Sequence, residues 1–217
     1  MNDTQVVQAI DAVKSKARER KFTERIDLIV NLKDVDLKKP ENHVDFFITL
    51  PSAPGKIRKV AALVDAELLD EAKAHADLVI PLERFGEYAK NPAQMKKLAS
   101  EYDFFIAQAN IMKDIAANFG RILGSRGKMP NPKGGMVVPP RAQLGPLVER
   151  LRKTVHVRVK AAPVFQAGVG SMDQDPEEIA KNITALYKQL VASLPNEETN
   201  VRSVFVKSTM GEPVKVV

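Results

Sequence analysis

The hydrophobic period of this chain changes twice, and that change limits the possible folds more than any single motif does. Ile26, Leu28, Val30 and Leu32 alternate with polar neighbours, as a strand with one buried face does. Val44, Phe46, Ile48 and Leu50 repeat the pattern, so the two segments are expected to pair as antiparallel strands. Near residue 52 the pattern shifts. Pro51 and Pro54-Gly55 punctuate the chain, and continuous apolar runs follow at Val60–Val64, Leu78–Ile80 and Phe104–Ala107. Each run precedes a segment of helical length, at Ala66–Ala76, Glu83–Ser100 and Ile111–Leu123. Fully apolar strands alternating with helices imply a parallel sheet covered on both faces and wound by right-handed crossovers. After about residue 153 alternation returns, with Val155, Val157 and Val159 on one face and His156, Arg158 and Lys160 on the other.

The two ends therefore resemble each other more than either resembles the middle. Val6, Ile10, Val13 and Ala17 recur at helical spacing near the start. Asp175-Pro176-Glu177-Glu178 combines a capping Asp, Pro in the first turn and Glu three residues past the cap, and so marks a helix start. Ile179, Ile183, Leu186 and Leu190 continue that helix, and a strand at 201–207 and a tail at 213–217 complete the chain. The expected fold class is mixed α/β and α+β in two domains. A discontinuous outer α+β domain with an antiparallel sheet takes residues 1–54 and 153–217. A Rossmann-like three-layer α/β domain, residues 55–152, is inserted into it. The backbone crosses between them near 51–56 and 152–154, and two crossings permit a hinge.

At 217 residues and 44% hydrophobic content the chain can bury two cores. It has no Cys, which excludes disulfides, thiol nucleophiles and cysteine-based zinc sites together. No apolar run approaches the ~20 residues that span a bilayer, and the charged, helically spaced N-terminus is unlike a signal peptide, so the expected location is cytoplasmic. The net charge of +6 favours a polyanionic partner. Residues 1–52 hold nine basic and nine acidic side chains, residues 53–152 hold 16 and 11, and residues 153–217 hold eight and seven. The excess is in the middle.

Arg121–Arg141 carries five basic residues, four Gly, four Pro and no acid, and reads as a loop that is neither helix nor central strand. Its glycines would let backbone N–H groups approach phosphate, with Arg121, Arg126, Lys128 and Lys133 supplying charge. It is no nucleotide loop: Ile122 stands where Gly is required before Gly127-Lys128, and Met129 where Ser or Thr is required. Gly168-Val169-Gly170 lacks the helix register and acidic partner of a dinucleotide site. His43, His75 and His156 are dispersed and form no metal or acid–base spacing; Asp34-Asp36 and Asp173-Asp175 read as loop and cap residues. An enzyme built on the wound domain, such as a nucleotide-using transferase, would need one of these constellations. Near the C-terminus, hydroxyls cluster at a strand end before Met210 and Gly211, a pattern suited to the sugar edge of RNA.

At these residues the sequence resembles the large-subunit ribosomal protein one family, of the mobile stalk beside the tRNA exit site. GRILGSRGKMPNPK at 120–133 is similar to its signature loop, STMGEPV at 208–214 to its C-terminal RNA-binding segment, and KFTERIDLIVNL at 21–32 to its first strand. LKKPEN at 37–42, LPSAPGK at 50–56 and DFFIAQA at 103–109 resemble the archaeal branch. Ser125 stands where the loop commonly has Pro, and Arg25 and Asp27 where relatives carry other polar types. The resemblance implies a non-enzymatic structural protein, a monomer within the ribosome, with no cofactor, metal or membrane contact. Implied partners are the stalk helices of large-subunit rRNA, deacylated tRNA at the exit site, whose release it assists, and its own mRNA, which it represses through an rRNA-like site. The implied rRNA contacts are Phe22, Arg25, Asp27, Ser203, Ser208, Thr209, Met210 and Gly211, in the nearly neutral outer domain. The basic loop would then be auxiliary, because phosphate charge attracts without selecting and fitted polar and apolar contacts select.

Overall fold

A computed structural model describes residues 3–18, 20–55, 57–160 and 162–216, with Pro40 described by its backbone alone. Lys56 in the expected crossing at 51–56 and Val217 in the expected tail lie outside the described residues. The chain opens with α1 (Asp3–Lys16), β1 (Arg25–Leu32) and β2 (Val44–Thr49). It continues through β3 (Val60–Val64), α2 (Leu69–His75), β4 (Leu78–Pro81), α3 (Phe85–Lys90), α4 (Pro92–Glu101) and β5 (Phe104–Gln108). Then come α5 (Met112–Ser125), β6 (Val137–Val138) and α6 (Gly145–Arg152). It closes with β7 (Thr154–Val159), β8 (Val164–Ser171), α7 (Pro176–Ala192), β9 (Val201–Ser208) and β10 (Val214–Lys215). These elements form two compact units, Met1–Ile57 with Lys153–Val217, and Arg58–Arg152. No described helix is long and apolar enough to cross a membrane.

The first unit is α+β. Its main sheet is antiparallel in the order β10-β9-β1-β8, and a separate antiparallel ribbon pairs β2 with β7. Helix α1 contributes Val6, Ile10 and Val13 to one face, and α7 contributes Ile179, Ile183, Leu186 and Leu190. These side chains share one core with Ile26, Leu28 and Val30 of β1, Val204 and Val206 of β9, and the ribbon's Val44, Ile48, Val155 and Val157. Burial contributes roughly 1.5–3 kcal/mol for each large aliphatic side chain, so this layer carries most of the unit's stability. Asp175 caps α7, its carboxylate accepting the Glu177 N–H at 3.2 Å, as the acidic start of that helix requires. Ala17 lies past the end of α1.

Contrary to expectation, β1 and β2 do not pair. Strand β1 has β9 on one edge and β8 on the other, and β2 pairs only with β7. Alternation states which face is buried; it carries no information about which strand occupies the edge. No strand was expected at VFQAGVGS, 164–171, which forms β8 and pairs with β1. Gly170 is required there for close approach: a Cβ would stand 2.7 Å from Ile179 Cγ1, so the missing side chain lets α7 settle on the sheet.

The second unit is a parallel sheet in the order β4-β3-β5-β6, with every residue of β3 and β5 buried. Helix α2 packs with α6, while α3, α4 and α5 pack with one another around Phe85, Ile115 and Phe119. The segment 83–100 is broken and not one helix. Asn91 accepts the Gln94 N–H at 3.2 Å and Pro92 opens the new helix, a stop-and-start signal within the apolar pattern.

The run Arg121–Arg141 is likewise corrected. Its first five residues, Arg121 included, complete α5. Gly127, at φ +65°, then ends the helix: its N–H bonds to the Gly124 carbonyl at 3.0 Å and the Lys128 N–H to the Leu123 carbonyl at 2.9 Å. That is a Schellman closure, so both of these N–H groups serve the helix end.

Candidate nucleic-acid interface

One face of the β10-β9-β1-β8 sheet rests on the core, so every second residue of each strand points the other way. From β1 these are Arg25, Asp27, Ile29 and Asn31; from β9 they are Ser203, Phe205 and Lys207, all at least partly exposed. Opposite them on β8 stand Gly168, paired with Asp27, and Gln166, paired with Ile29. A concavity of about 320 Å³ opens on this face, bordered by Asp27, Gln166, Gly168, Lys207 and Thr209. Helix α1 and helix α7 leave this face uncovered because their apolar stripes are spent on the other one.

The strand ends hold the more constrained geometry. After β9 the chain turns through Thr209, Met210 and Gly211, with the Gly211 N–H bonded to the Ser208 carbonyl at 3.0 Å. The Thr209 N–H and hydroxyl both donate to the Arg25 carbonyl, at 2.9 and 3.2 Å, and the hydroxyl lies 3.3 Å from the Asp27 carboxylate. A Cβ on Gly211 would collide with Ser208 Oγ, so any side chain there displaces that hydroxyl. Met210 is 61% exposed and Phe22 is 59% exposed. Among the described residues only Ile57 joins them as an exposed large hydrophobic. Met210 stands on the hydrogen-bonded turn, and Phe22 in the segment just before β1.

Glu24 was not anticipated as part of this site. It is 6% exposed, yet it carries a charge. Its carboxylate accepts the Met210 N–H at 3.1 Å and the Ser208 hydroxyl, and pairs with Arg20. The Met210 amide and the Ser208 hydroxyl lower its carboxyl most, burial opposes them, and Arg20 adds to the lowering, so the group stays below its ordinary value. In sequence only the strict alternation hinted at it: Glu24 precedes Ile26 and Leu28 by two and four, and so points to the core side.

The structure therefore gathers Phe22, Arg25, Asp27, Thr209, Met210 and Gly211 at one end of β1 and β9. Ser208 belongs to this end but is 1% exposed and faces inward. Ser203 is apart: it pairs with Asn31, whose amide donates to its hydroxyl at 3.0 Å, five residues before Ser208 or roughly 17 Å along the strand. It shares the open face and not the turn.

The basic loop belongs to the second unit. Arg126 donates to the Ser100 hydroxyl and Lys128 to the Tyr102 carbonyl at 2.7 Å, which ties both to the end of α4. Arg121 and Lys133 are exposed. At the carboxyl ends of β3 and β5, where wound sheets take nucleotides, Gln108 is fully buried. Its amide accepts the Asp65 N–H at 2.9 Å and donates to Glu67 at 3.3 Å. No group of three or more His, Asp or Glu among the described residues is placed to hold a metal ion. His43 bonds to the Leu37 carbonyl at 2.8 Å, and His156 to Asp45 across the ribbon at 2.7 Å while stacked on Phe47. Asp36 accepts the Lys38 N–H at 3.1 Å, a loop role.

Residues 13–212 match the model of the ribosomal protein L1p/L10e family. The chain is 43% identical over 212 residues to large ribosomal subunit protein uL1 of Thermococcus kodakarensis, covering 97% of this chain and 96% of that one. It is 41% identical to the protein of the same name from Pyrococcus horikoshii, over 97% and 94% of the two chains. For that of Methanothermobacter thermautotrophicus the identity is 40%, over 98% and 99%.

Proposed function

This chain belongs to the ribosomal protein L1p/L10e family in its archaeal form, and from that membership we propose that it binds the exit-side stalk helices of large-subunit rRNA through the open sheet face and the Thr209–Gly211 turn. It is a structural constituent of the large ribosomal subunit and not an enzyme. The observation that carries the reading is the pairing of two exposed apolar side chains, Phe22 and Met210, with a hydrogen-bonded turn beside an uncovered polar face. Phe22 offers a ring for an unstacked base, Met210 a flexible apolar contact, and Thr209 a hydroxyl that can serve a ribose 2′-OH. Arg25, Asp27 and Ser203 extend the contact along the sheet, and Ser208 supports it from inside. The exposed cations Arg121, Arg126 and Lys133 add attraction that does not depend on sequence. Bound at the stalk, the protein assists release of deacylated tRNA, and the same face binds an rRNA-like site in its own message to repress translation.

Hydroxyl-radical footprinting of the purified chain on large-subunit rRNA tests the reading. Protection is expected over the stalk helices and a competing message fragment of like secondary structure should remove it. Protection spread evenly over the rRNA would overturn it.

A further inference from the structure

We infer that Glu24 is a positioning residue for the rRNA site, its buried carboxylate building the Thr209–Gly211 turn and joining it to the Phe22 segment before RNA arrives. This rests on the reading that the turn and Phe22 contact rRNA. A glutamate is almost never this buried unless it is paired, and here every pairing partner belongs to the site or to its entry. Arg20 pairs with it from the segment that leads into Phe22. The Met210 N–H reaches it across 186 residues of sequence, which turns that backbone inward and leaves the Met210 side chain outside. The Ser208 hydroxyl is the third donor. Gly211 belongs to the same arrangement, because any side chain there would displace the Ser208 hydroxyl from its place.

The clasp has a clear purpose. Phe22 and Met210 are large, apolar and exposed, and a slack turn would let Met210 fold back against the protein. A charged acceptor in a site shielded from water holds the turn more firmly than a neutral one would. Ordering done during folding is not required again at binding, so the gain appears as affinity. Glu24 itself reaches no ligand: it is covered by the groups it orients.

The experiment uses the full chain with Glu24→Gln, which keeps the shape and an acceptor but removes the charge. The free protein is followed by hydrogen exchange at the Met210 amide, and binding by titration with a stalk rRNA fragment. Faster exchange at Met210, with the β1 and β9 amides unchanged, is expected, together with about tenfold weaker binding. In combination with Met210→Ala the loss should be less than additive, since both act through one turn. Fully additive losses would assign Glu24 a contact of its own and overturn the inference. So would wild-type affinity in folded Glu24→Gln when Thr209→Ala or Met210→Ala binds weakly. Should neither of those two variants lose affinity, the rRNA site itself is elsewhere. If Glu24→Gln does not fold, Ser208→Ala removes one of the same donors, and unchanged exchange and affinity there overturn the inference equally.

Discussion

Thr49 and Thr154 face each other across the β2–β7 ribbon, their hydroxyls 3.2 Å apart although 105 residues separate them in sequence. The next step outward is also joined, with the Leu50 N–H donating to the Lys153 carbonyl at 3.0 Å. From Leu50 the chain runs on along the first unit, with the Ser52 N–H donating to Asn182 at 2.9 Å, leaves it after Ile57 and returns at Lys153. Replacing Arg58–Arg152 with a Gly/Ser linker of about ten residues should therefore close at small entropic cost, since loop entropy grows only logarithmically with length. The shortened chain is expected to melt cooperatively and to prefer stalk rRNA over an unrelated hairpin, with lower affinity at low salt. Equal affinity for both RNAs in a folded protein would move the specific site into the excised unit.

Thr209→Ala removes a hydroxyl bonded to the Arg25 carbonyl and available to ribose. The expected loss of rRNA affinity is about 1 kcal/mol, with the melting temperature nearly unchanged because the turn buries little. Gly211→Val should lose more, since its side chain displaces Ser208 as well as blocking backbone approach. Calorimetric titration and thermal melting of each variant separate the two effects. Wild-type binding by both would remove the turn from the interface.

In the second unit, Arg121, Arg126 and Lys133 can be changed to Gln together while Lys128, which holds the Tyr102 carbonyl, is kept. The slope of log affinity against log salt should become shallower, by up to about 0.7–0.9 for each phosphate that the variant no longer neutralises. Preference for the stalk sequence should persist. An abolished preference at an unchanged slope would reverse the roles given to the two units.

Asp45 on the ribbon accepts from His156 at 2.7 Å and pairs with Lys160 at 2.8 Å, with Arg158 opposite it in register. Partial burial alone would raise its carboxyl, but the hydrogen bonds from His156 and Lys160 outweigh it and hold the group below its ordinary value. A carboxyl depressed in the folded state stabilises above its unfolded pKa, and that stability is lost as pH falls through the folded one. Asp45→Asn should therefore cost up to about 1 kcal/mol at neutral pH, and less as the pH drops below the ordinary carboxylate range. Urea melts at neutral and acid pH check this. A deficit that stays constant on acidification would mean the effect is packing and not charge.

What the sequence determined alone is what depends on neighbours along the chain. Period two at Ile26–Leu32 and Val155–Val159 identified the buried face of each strand, and the continuous runs at Val60–Val64 and Phe104–Ala107 identified a sheet covered on both sides. The Asp175-Pro176 start of α7 is likewise local, since a cap needs only the N–H groups of its own first turn. Tertiary structure decided whatever needs a partner far away in sequence. Strand edges are chemically alike in every strand, so nothing in β1 announces that β8 and β9 flank it or that β2 will turn to β7. Gly170 carries no local sign of its reason, because the approach of Ile179 in α7 comes from elsewhere in the chain. Phe22, Thr209 and Met210 were legible as motif residues, but their common support was not. Glu24 has the composition of an ordinary surface acid, and only folding brings the Met210 N–H, the Ser208 hydroxyl and Arg20 onto one buried carboxylate. A charge can be buried only where its partners converge, and convergence is a property of three dimensions.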